Sequence, residues 1–163
     1  MTLRFAVLAG ILALASLSAP VSAQTYDANL VKDSVTKADL IAIVGSLGHK
    51  VREGTNGPFI VAVDAPDGLM YTLQGTACNA RACKGIRMYV GYGMPSGVPL
   101  EMVNKINIFR HAFTTTFSTG VLTFSRYLIL DDGVTMANIS KNIEVLLSAA
   151  PTLLAIAKGD QAL

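Results

Sequence analysis

Signatures of catalysis and of metal binding are missing from this sequence. No nucleophile-elbow pattern, phosphate-binding loop or HExxH motif is present. The histidines, His49 and His111, do not stand in a recognisable zinc-ligand spacing. Ser118 or Ser125 with His111 and Asp131 supplies the residue types of a hydrolytic triad, but without a motif that joins them. We therefore expect a protein that is not an enzyme and that uses no metal or other cofactor.

An excess of charge of one sign is also lacking. The chain has 13 Lys and Arg residues against 11 Asp and Glu residues, and the basic residues are dispersed. This balance argues against nucleic acid as a partner and against electrostatic attraction to anionic lipid. Adjacent carboxylates occur at Asp131-Asp132-Gly133, but no alternating acidic loop follows. A turn therefore explains them better than a calcium site.

The first 23 residues have the three parts of a cleavable export signal. Arg4 supplies positive charge, residues 5–17 are apolar, and Val21-Ser22-Ala23 is a small-residue cleavage pattern. The apolar run is shorter than the roughly 20 residues of a membrane-spanning helix. We expect a periplasmic or secreted protein, cut near Ala23, without stable membrane insertion. Residues 24–35 should then form a flexible segment ahead of one domain, residues 36–158.

Two cysteines five positions apart favour a disulfide in an oxidising compartment, here between Cys78 and Cys83. The loop-entropy estimate for so small a ring is only about 2 kcal/mol, so that the bond would mainly hold a hairpin connection. A redox pair and half of a metal site are the alternatives. A redox pair usually has two intervening residues and a helix N-terminus, whereas this pair has four and lies between predicted strands.

Hydrophobic periodicity predicts an α+β fold with the order α-β-β-β-α-β-β-α. Helical spacing covers residues 36–48, residues 100–110 and a long segment that Thr135 can cap. A period of two covers residues 59–63, 69–73, 86–90, 113–117 and 121–130. The connections between the first three strands are too short for a parallel crossover. We therefore expect one domain with an antiparallel sheet layered with helices.

A polar stripe on the central helix is the first candidate for binding. Asn104, Asn107 and His111 lie at i, i+3 and i+7, opposite the apolar face of Met102 and Phe109, if the helix continues to His111. Such a stripe could bind a polar ligand. The alternative is a solvated face, or asparagines that bond to neighbouring loop backbone.

The strand before that helix gives two further candidates. Tyr89 and Tyr92 could line an apolar groove or fill one side of the sheet. Arg81, Lys84 and Arg87 surround the cysteine loop and could attract an anion, or form a solvated rim.

Taken together, these segments resemble the YbjN-like family of bacterial sensory-transduction regulators over residues 36–150. The family's helix motif V/I-N-x-W-N maps onto Val103, Asn104, Ile106 and Asn107, and its entry to the last helix maps onto Gly133-Val134-Thr135. Ile106 replaces the usual tryptophan, and Ser118-Thr119-Gly120 replaces an acidic hairpin turn. The resemblance implies a type III secretion chaperone-like fold, in which a bent antiparallel sheet is flanked by helices and the domains often pair as dimers.

We expect a non-enzymatic domain that binds another polypeptide, either itself as a homodimer or an envelope partner in a chaperone-like or regulatory role. Dimer contacts are expected from Met88, Val90 or Tyr92, or from the helix that carries Met102 and Phe109. The alternative is a periplasmic small-molecule sensor, with a pocket between the central helix and the sheet that uses Asn104, Asn107 and Tyr89. The expected binding residues are Tyr89, Tyr92, Met102, Asn104, Asn107, Phe109 and Arg110.

Overall fold

The computed structural model describes residues 25–54, 57–94 and 96–162. The expected export signal and its cut near Ala23 lie outside the described residues. Three helices and eight strands form within those ranges, which confirms the α+β class. The helices are α1 Lys37–Ser46, α2 Leu100–Phe109 and α3 Met136–Lys158. The strands are β1 Val31–Lys32, β2 Lys50–Val51, β3 Ile60–Asp64, β4 Met70–Cys78, β5 Cys83–Gly93, β6 Thr114–Ser118, β7 Val121–Ile129 and β8 Val134–Thr135.

Six of the strands form one antiparallel sheet in the order β2-β3-β4-β5-β7-β6, and β1 pairs separately with β8. The β6–β7 hairpin turns through Thr119-Gly120, both of which have left-handed backbone, with φ of 50° and 75°. Such a two-residue turn matches the twist of the strands that it joins. The predicted order of five strands and three helices is confirmed. The strands β1, β2 and β8 have two residues each, too few for a periodic pattern.

The helices pack on one face of the sheet, which we call the inner face. Side chains alternate along a strand, and Ile86, Met88 and Val90 of β5 are all buried on this face. Leu73 lies opposite Met88, Phe124 lies opposite Val90, and both are also buried. Helix α3 contacts β5 and β7, α1 contacts β3, and α2 contacts β6 and α3. One hydrophobic core therefore lies between the three helices and the sheet.

Helix α3 is the longest element. Thr135 caps its start by accepting a hydrogen bond from the Asn138 N–H, and Gly159 ends it in the left-handed conformation. By length and composition it is the one helix of the described ranges that could cross a membrane. Nine of its residues are buried in the core, however, and a core helix passes the same test.

The expectation of a flexible segment over residues 24–35 is corrected for its described part. Val35 is buried, and its N–H and C=O pair with the C=O and N–H of Cys83, both at 2.9 Å. Strand β1 pairs with β8, and the Lys32 ammonium lies 2.9 Å from the buried carboxylate of Asp39. This segment is therefore tied to both the sheet and α1. Its pairing is too short to show in hydrophobic periodicity.

Candidate binding surface

The face of the sheet opposite the core carries a different chemistry. We call it the outer face and define it by the alternate residues of β4 from Met70 to Thr76, of β5 from Gly85 to Gly93 and of β7 from Val121 to Ile129. On β5, Arg87 and Tyr89 alternate with the buried residues. The outer face therefore mixes aromatic, aliphatic and hydroxyl-bearing side chains around a single arginine.

Large apolar side chains remain exposed on the outer face. Met70 on β4 and Tyr127 and Ile129 on β7 keep 52%, 56% and 61% of their surface accessible, whereas Leu73, Met88 and Phe124 on the inner face are fully buried. Scattered single apolar residues are normal on a protein surface, whereas several on one sheet face make that face a candidate contact surface.

The guanidinium of Arg87 lies over the Tyr89 ring, 4.9 Å from its centroid. Arg87 makes no hydrogen bond or ion pair with another described residue. Its cross-strand neighbours are Gln74 on β4 and Tyr127 on β7. A stacked guanidinium keeps its N–H groups directed outward in its own plane. Arg87 is therefore a cation that Tyr89 holds in place, and its N–H donors remain available to another molecule.

A shallow groove of about 250 Å³ adjoins Tyr89 on the side away from Arg87. Its lining includes the small residues Ala62, Thr72 and Gly91. Met70 and Arg52 lie together at its border, with the Arg52 guanidinium donating to the Met70 sulfur at 2.9 Å and paired with Asp64 at 3.4 Å. The groove is therefore largely apolar, with a neutralised ion pair at one end.

Tyr127 covers a glycine on the neighbouring strand. A Cβ on Gly85 would meet the Tyr127 hydroxyl and the Thr76 Oγ1 at 2.5 and 2.6 Å. The Thr76 hydroxyl and the Tyr127 hydroxyl are hydrogen-bonded at 2.9 Å. Tyr127 therefore lies flat across the sheet, and Gly85 is required because the ring occupies the space of a side chain.

The expected disulfide is confirmed. Cys78 and Cys83 are bonded, and they are directly opposed residues at the paired ends of β4 and β5. The turn between them is closed by Asn79, whose Oδ1 accepts from the backbone N–H groups of Arg81 and Ala82. The bond therefore fixes the end of a hairpin, as the sequence predicts.

The three basic residues near this hairpin do not form one anion site. The Lys84 ammonium lies 3.4 Å from a carboxylate oxygen of Asp33 and 3.9 Å from one of Asp131. Arg81 is exposed in the turn, and Arg87 lies on the outer face. No group of three or more histidine, cysteine or acidic side chains with metal-binding geometry occurs within the described ranges.

Asn107 has a structural role. Its Nδ2 donates to the Thr115 carbonyl at 3.0 Å, and its Oδ1 accepts from the Thr115 N–H at 2.6 Å. Asn104 is exposed, and α2 ends at Phe109, so that the predicted stripe does not extend to His111. Asn107 therefore bonds to backbone, as one alternative expected, but to strand β6 and not to a loop.

The residue types of a hydrolytic triad are not assembled. His111 is exposed and has no hydrogen bond or ion pair within the part of the chain that the structure describes. The Ser125 hydroxyl donates to the Thr114 carbonyl at 3.2 Å, while Asp131 lies beside Lys84. Nothing joins a nucleophile to a base among these side chains.

The other expected binding residues divide between the core and the surface. Tyr92 packs edge-on against Phe124, and burial, followed by the negative charge of Asp67, raises the pKa of its phenol. Met102 packs against the core, whereas Phe109 is 63% exposed at the end of α2. Hence Phe109 does not belong to the buried helix face that its spacing suggested.

Arg110 borders a second cavity, of about 260 Å³, between the end of α2 and α3. Phe113, Ala149, Thr152 and Leu153 complete its lining. Of the expected residues, Arg110 alone reaches this cavity, which lies on the helical side of the molecule.

Two arrangements expected from the sequence are corrected by this placement. Met88 and Val90 are buried beneath the helices and cannot make dimer contacts. Tyr89 lies on the outer face, while Asn107 is bonded to β6 and Asn104 is exposed. These three side chains therefore do not line one pocket between the central helix and the sheet.

Sequence reasoning missed Arg52 and Met70, which line the groove with Tyr89, and Tyr127, which lies opposite Arg87. The sequence does predict the face on which Tyr127 lies, since Tyr127 alternates with Arg126 and Leu128 along a predicted strand. The order of strands that brings β4, β5 and β7 side by side is not visible in that alternation.

Comparison of this chain with family models, with curated proteins and with solved structures finds no match.

Proposed function

We propose that this protein is an exported, non-enzymatic domain that binds another polypeptide through the outer face of its sheet. The observation that carries the proposal is the exposure of Met70, Tyr127 and Ile129 on the side away from the helices. The core beneath the other face is already filled, and each of these side chains keeps more than half of its surface exposed. Export is supported by the signal-like first 23 residues and by the Cys78–Cys83 disulfide.

The composition of the outer face suits a protein partner. Tyrosine, methionine and arginine are enriched at the centres of protein interfaces, because they combine apolar area with a polar group. Tyr89 and Tyr127 are held by contacts with Arg87 and Thr76. Side chains that are already fixed lose little conformational entropy when a partner binds.

The resemblance to the YbjN-like family supports the same proposal. Asn107 of the helix motif closes the edge of β6, and Thr135 of the Gly-Val-Thr segment caps α3. Both motif residues thus have structural roles in an antiparallel sheet flanked by helices. We propose the type III secretion chaperone-like subtype and a chaperone-like or regulatory role on this basis.

Site-specific photo-crosslinking tests the function directly. Benzoylphenylalanine in place of Met70 should give discrete cross-linked products in the envelope of the source cells. The same residue in place of Ile41 on α1, which is 42% exposed, is the matched control and should give none. Products identified as two copies of this chain would specify a homodimer, and products with another protein would specify a heteromeric partner. Equal labelling at both positions, or no product at position 70, would contradict the proposal.

A small-molecule sensor is the second candidate, and the cavity beside Arg110 favours it. At about 260 Å³, however, this cavity is smaller than the roughly 300–1,000 Å³ of typical ligand sites. Thermal-shift screening against envelope metabolites tests this candidate, because a ligand raises the melting temperature with its concentration. A shift that Thr152→Trp abolishes would assign a ligand to the cavity.

A further inference from the structure

We propose that the outer face recognises an acidic segment of the partner polypeptide, with Arg87 binding a carboxylate and the adjoining groove taking a nearby apolar side chain. This inference rests on the proposed function and names the chemistry of its partner.

Charge complementarity is the first argument. Arg87 is the one charged residue among the outer-face positions of β4, β5 and β7. Its guanidinium has no acidic partner among the described residues, whereas Arg52 and Lys84 are both paired with carboxylates. A partner that supplies a carboxylate completes a pair that the domain leaves open.

The geometry of Arg87 suits a carboxylate in particular. The contact with Tyr89 restrains the guanidinium, a planar group whose carbon lies 4.9 Å from the ring centroid. The N–H groups in that plane match the two oxygens of a carboxylate, and such bidentate pairs are stronger than neutral hydrogen bonds. Gln74, directly across from Arg87 on β4, adds an amide that can donate to the same anion.

The groove supplies the second half of the site. Tyr89 separates Arg87 from Gly91, and Gly91 is four residues along β5 from Arg87. Four residues of a strand span about 13 Å, and alternate side chains of an extended peptide lie about 7 Å apart. A peptide with an acidic residue two to four positions from an apolar residue can therefore reach both.

A polypeptide fits these features better than a membrane surface does. Binding to anionic lipid depends on clusters of several basic residues, and the chain has only 13 basic against 11 acidic residues. One arginine without an acidic partner, beside a largely apolar groove, instead suits a single carboxylate within a short sequence.

Peptide display tests the inference with a defined probe. Protein recovered after export, with its disulfide intact, is used to select from a library of random twelve-residue peptides. Selected peptides should carry Asp or Glu two to four positions from an apolar residue. A synthetic selected peptide should lose at least tenfold in affinity when its acidic residue is replaced by the corresponding amide.

Variants of the protein locate the carboxylate. Arg87→Gln should weaken the peptide at least tenfold, whereas Arg81→Gln, an exposed arginine in the cysteine turn, should change the affinity less than twofold. Arg87→Lys keeps the charge but loses the planar fork, so that its affinity should be intermediate. Melting temperatures of all three variants establish that they are folded.

The outcomes separate this inference from the proposed function. Selected peptides without acidic residues, or equal binding by Arg87→Gln, would overturn the carboxylate inference. An absence of any selected peptide would overturn it as well, while cross-linking at position 70 still decides the function. Arg87-dependent binding to phosphatidylglycerol vesicles without peptide selection would assign the outer face to lipid and would also overturn it.

Discussion

The side chain of Asn107 pairs with the backbone of Thr115 on β6 as a neighbouring strand would. Its amide donates to the Thr115 carbonyl and its carbonyl accepts from the Thr115 N–H. Strand β6 is the last strand of the six-stranded sheet, so these backbone groups lie on a free edge. An unpaired edge is a site at which a further chain can add. Asn107 therefore satisfies the edge from within the molecule.

Replacing Asn107 with alanine should destabilise the domain. The Thr115 N–H and carbonyl would both lose their partner, and each unsatisfied buried group costs about 1–3 kcal/mol. We expect a loss of about 2 kcal/mol in the free energy of unfolding, measured by urea denaturation. Asn104→Ala, at an exposed position of the same helix, should change it by less than about 0.5 kcal/mol. Equal effects of the two variants would refute the edge-closing role.

A substitution at Thr115 should stabilise the domain, in contrast to the loss of Asn107. Its Oγ1 is buried and finds no hydrogen-bond partner among the described residues. Valine has nearly the same shape and removes the unsatisfied hydroxyl, so Thr115→Val should stabilise the domain by about 1 kcal/mol. Thr116→Val, one residue along β6 on the exposed side, is the control. A stability loss in Thr115→Val, measured by thermal unfolding, would show that the hydroxyl is satisfied in solution.

A side chain at position 75 should destabilise the domain while the disulfide is present. A Cβ there would meet the sulfur of Cys83 and would lie 2.9 Å from its Cβ and 3.0 Å from the Cβ of Phe59. Gly75→Ala should therefore cost about 1–3 kcal/mol through overpacking. Gly93→Ala, whose Cβ meets nothing within 4 Å, is the matched control.

A double-mutant cycle isolates the cause of that loss. In a Cys78→Ala/Cys83→Ala background the sulfur is gone, so the cost of Gly75→Ala should fall. Chemical denaturation of the four proteins gives the coupling free energy directly. An unchanged cost in the background without cysteines would mean that the sulfur is not the obstacle.

Alkaline pH should weaken the domain through Tyr71. Burial raises the pKa of its phenol far above the ordinary value of about 10. A folded-state pKa above the unfolded one gives stability that is complete below about pH 10 and is lost as the pH rises beyond it. Urea unfolding between pH 8 and 11 should show this loss, with a smaller contribution from Tyr92, whose pKa is also raised.

Tyr71→Phe should flatten that alkaline loss. It should also cost about 1 kcal/mol at neutral pH, because the Tyr71 hydroxyl and His49 Nδ1 are hydrogen-bonded at 2.8 Å. Tyr127→Phe, on the exposed outer face, should keep the wild-type pH profile. A wild-type profile in Tyr71→Phe would contradict the assignment of the alkaline loss to this buried phenol.

Periodicity predicted the elements well because each long element has one buried side. The α1 box of Thr36 and Asp39, the hairpin at Ser118-Thr119-Gly120 and the Thr135 cap are all local, so sequence alone could specify them. The strands β1 and β2 depend on distant partners instead. Two residues that pair across the molecule leave no pattern along the chain.

The candidate site was harder to predict, although the sequence does indicate on which face of a strand each side chain lies. Tyr92 is three positions after Tyr89. Because side chains alternate along a strand, the two rings lie on opposite faces, and grouping them as one surface was inconsistent with that alternation. The prediction that Phe109 belongs to the apolar face of the central helix was wrong for another reason. Helical spacing predicts a face, but α2 ends at Phe109, whose side chain is left 63% exposed.

The opposed positions of Cys78 and Cys83 have a consequence for maturation of the chain. A strand shifted by a single residue would turn Arg87 and Tyr89 toward the helices and Met88 and Val90 toward the solvent. A covalent bond between opposed residues is incompatible with that slipped pairing. The disulfide thus locks the register that burial of Met88 and Val90 favours, and with it the set of side chains that the protein presents to its surroundings.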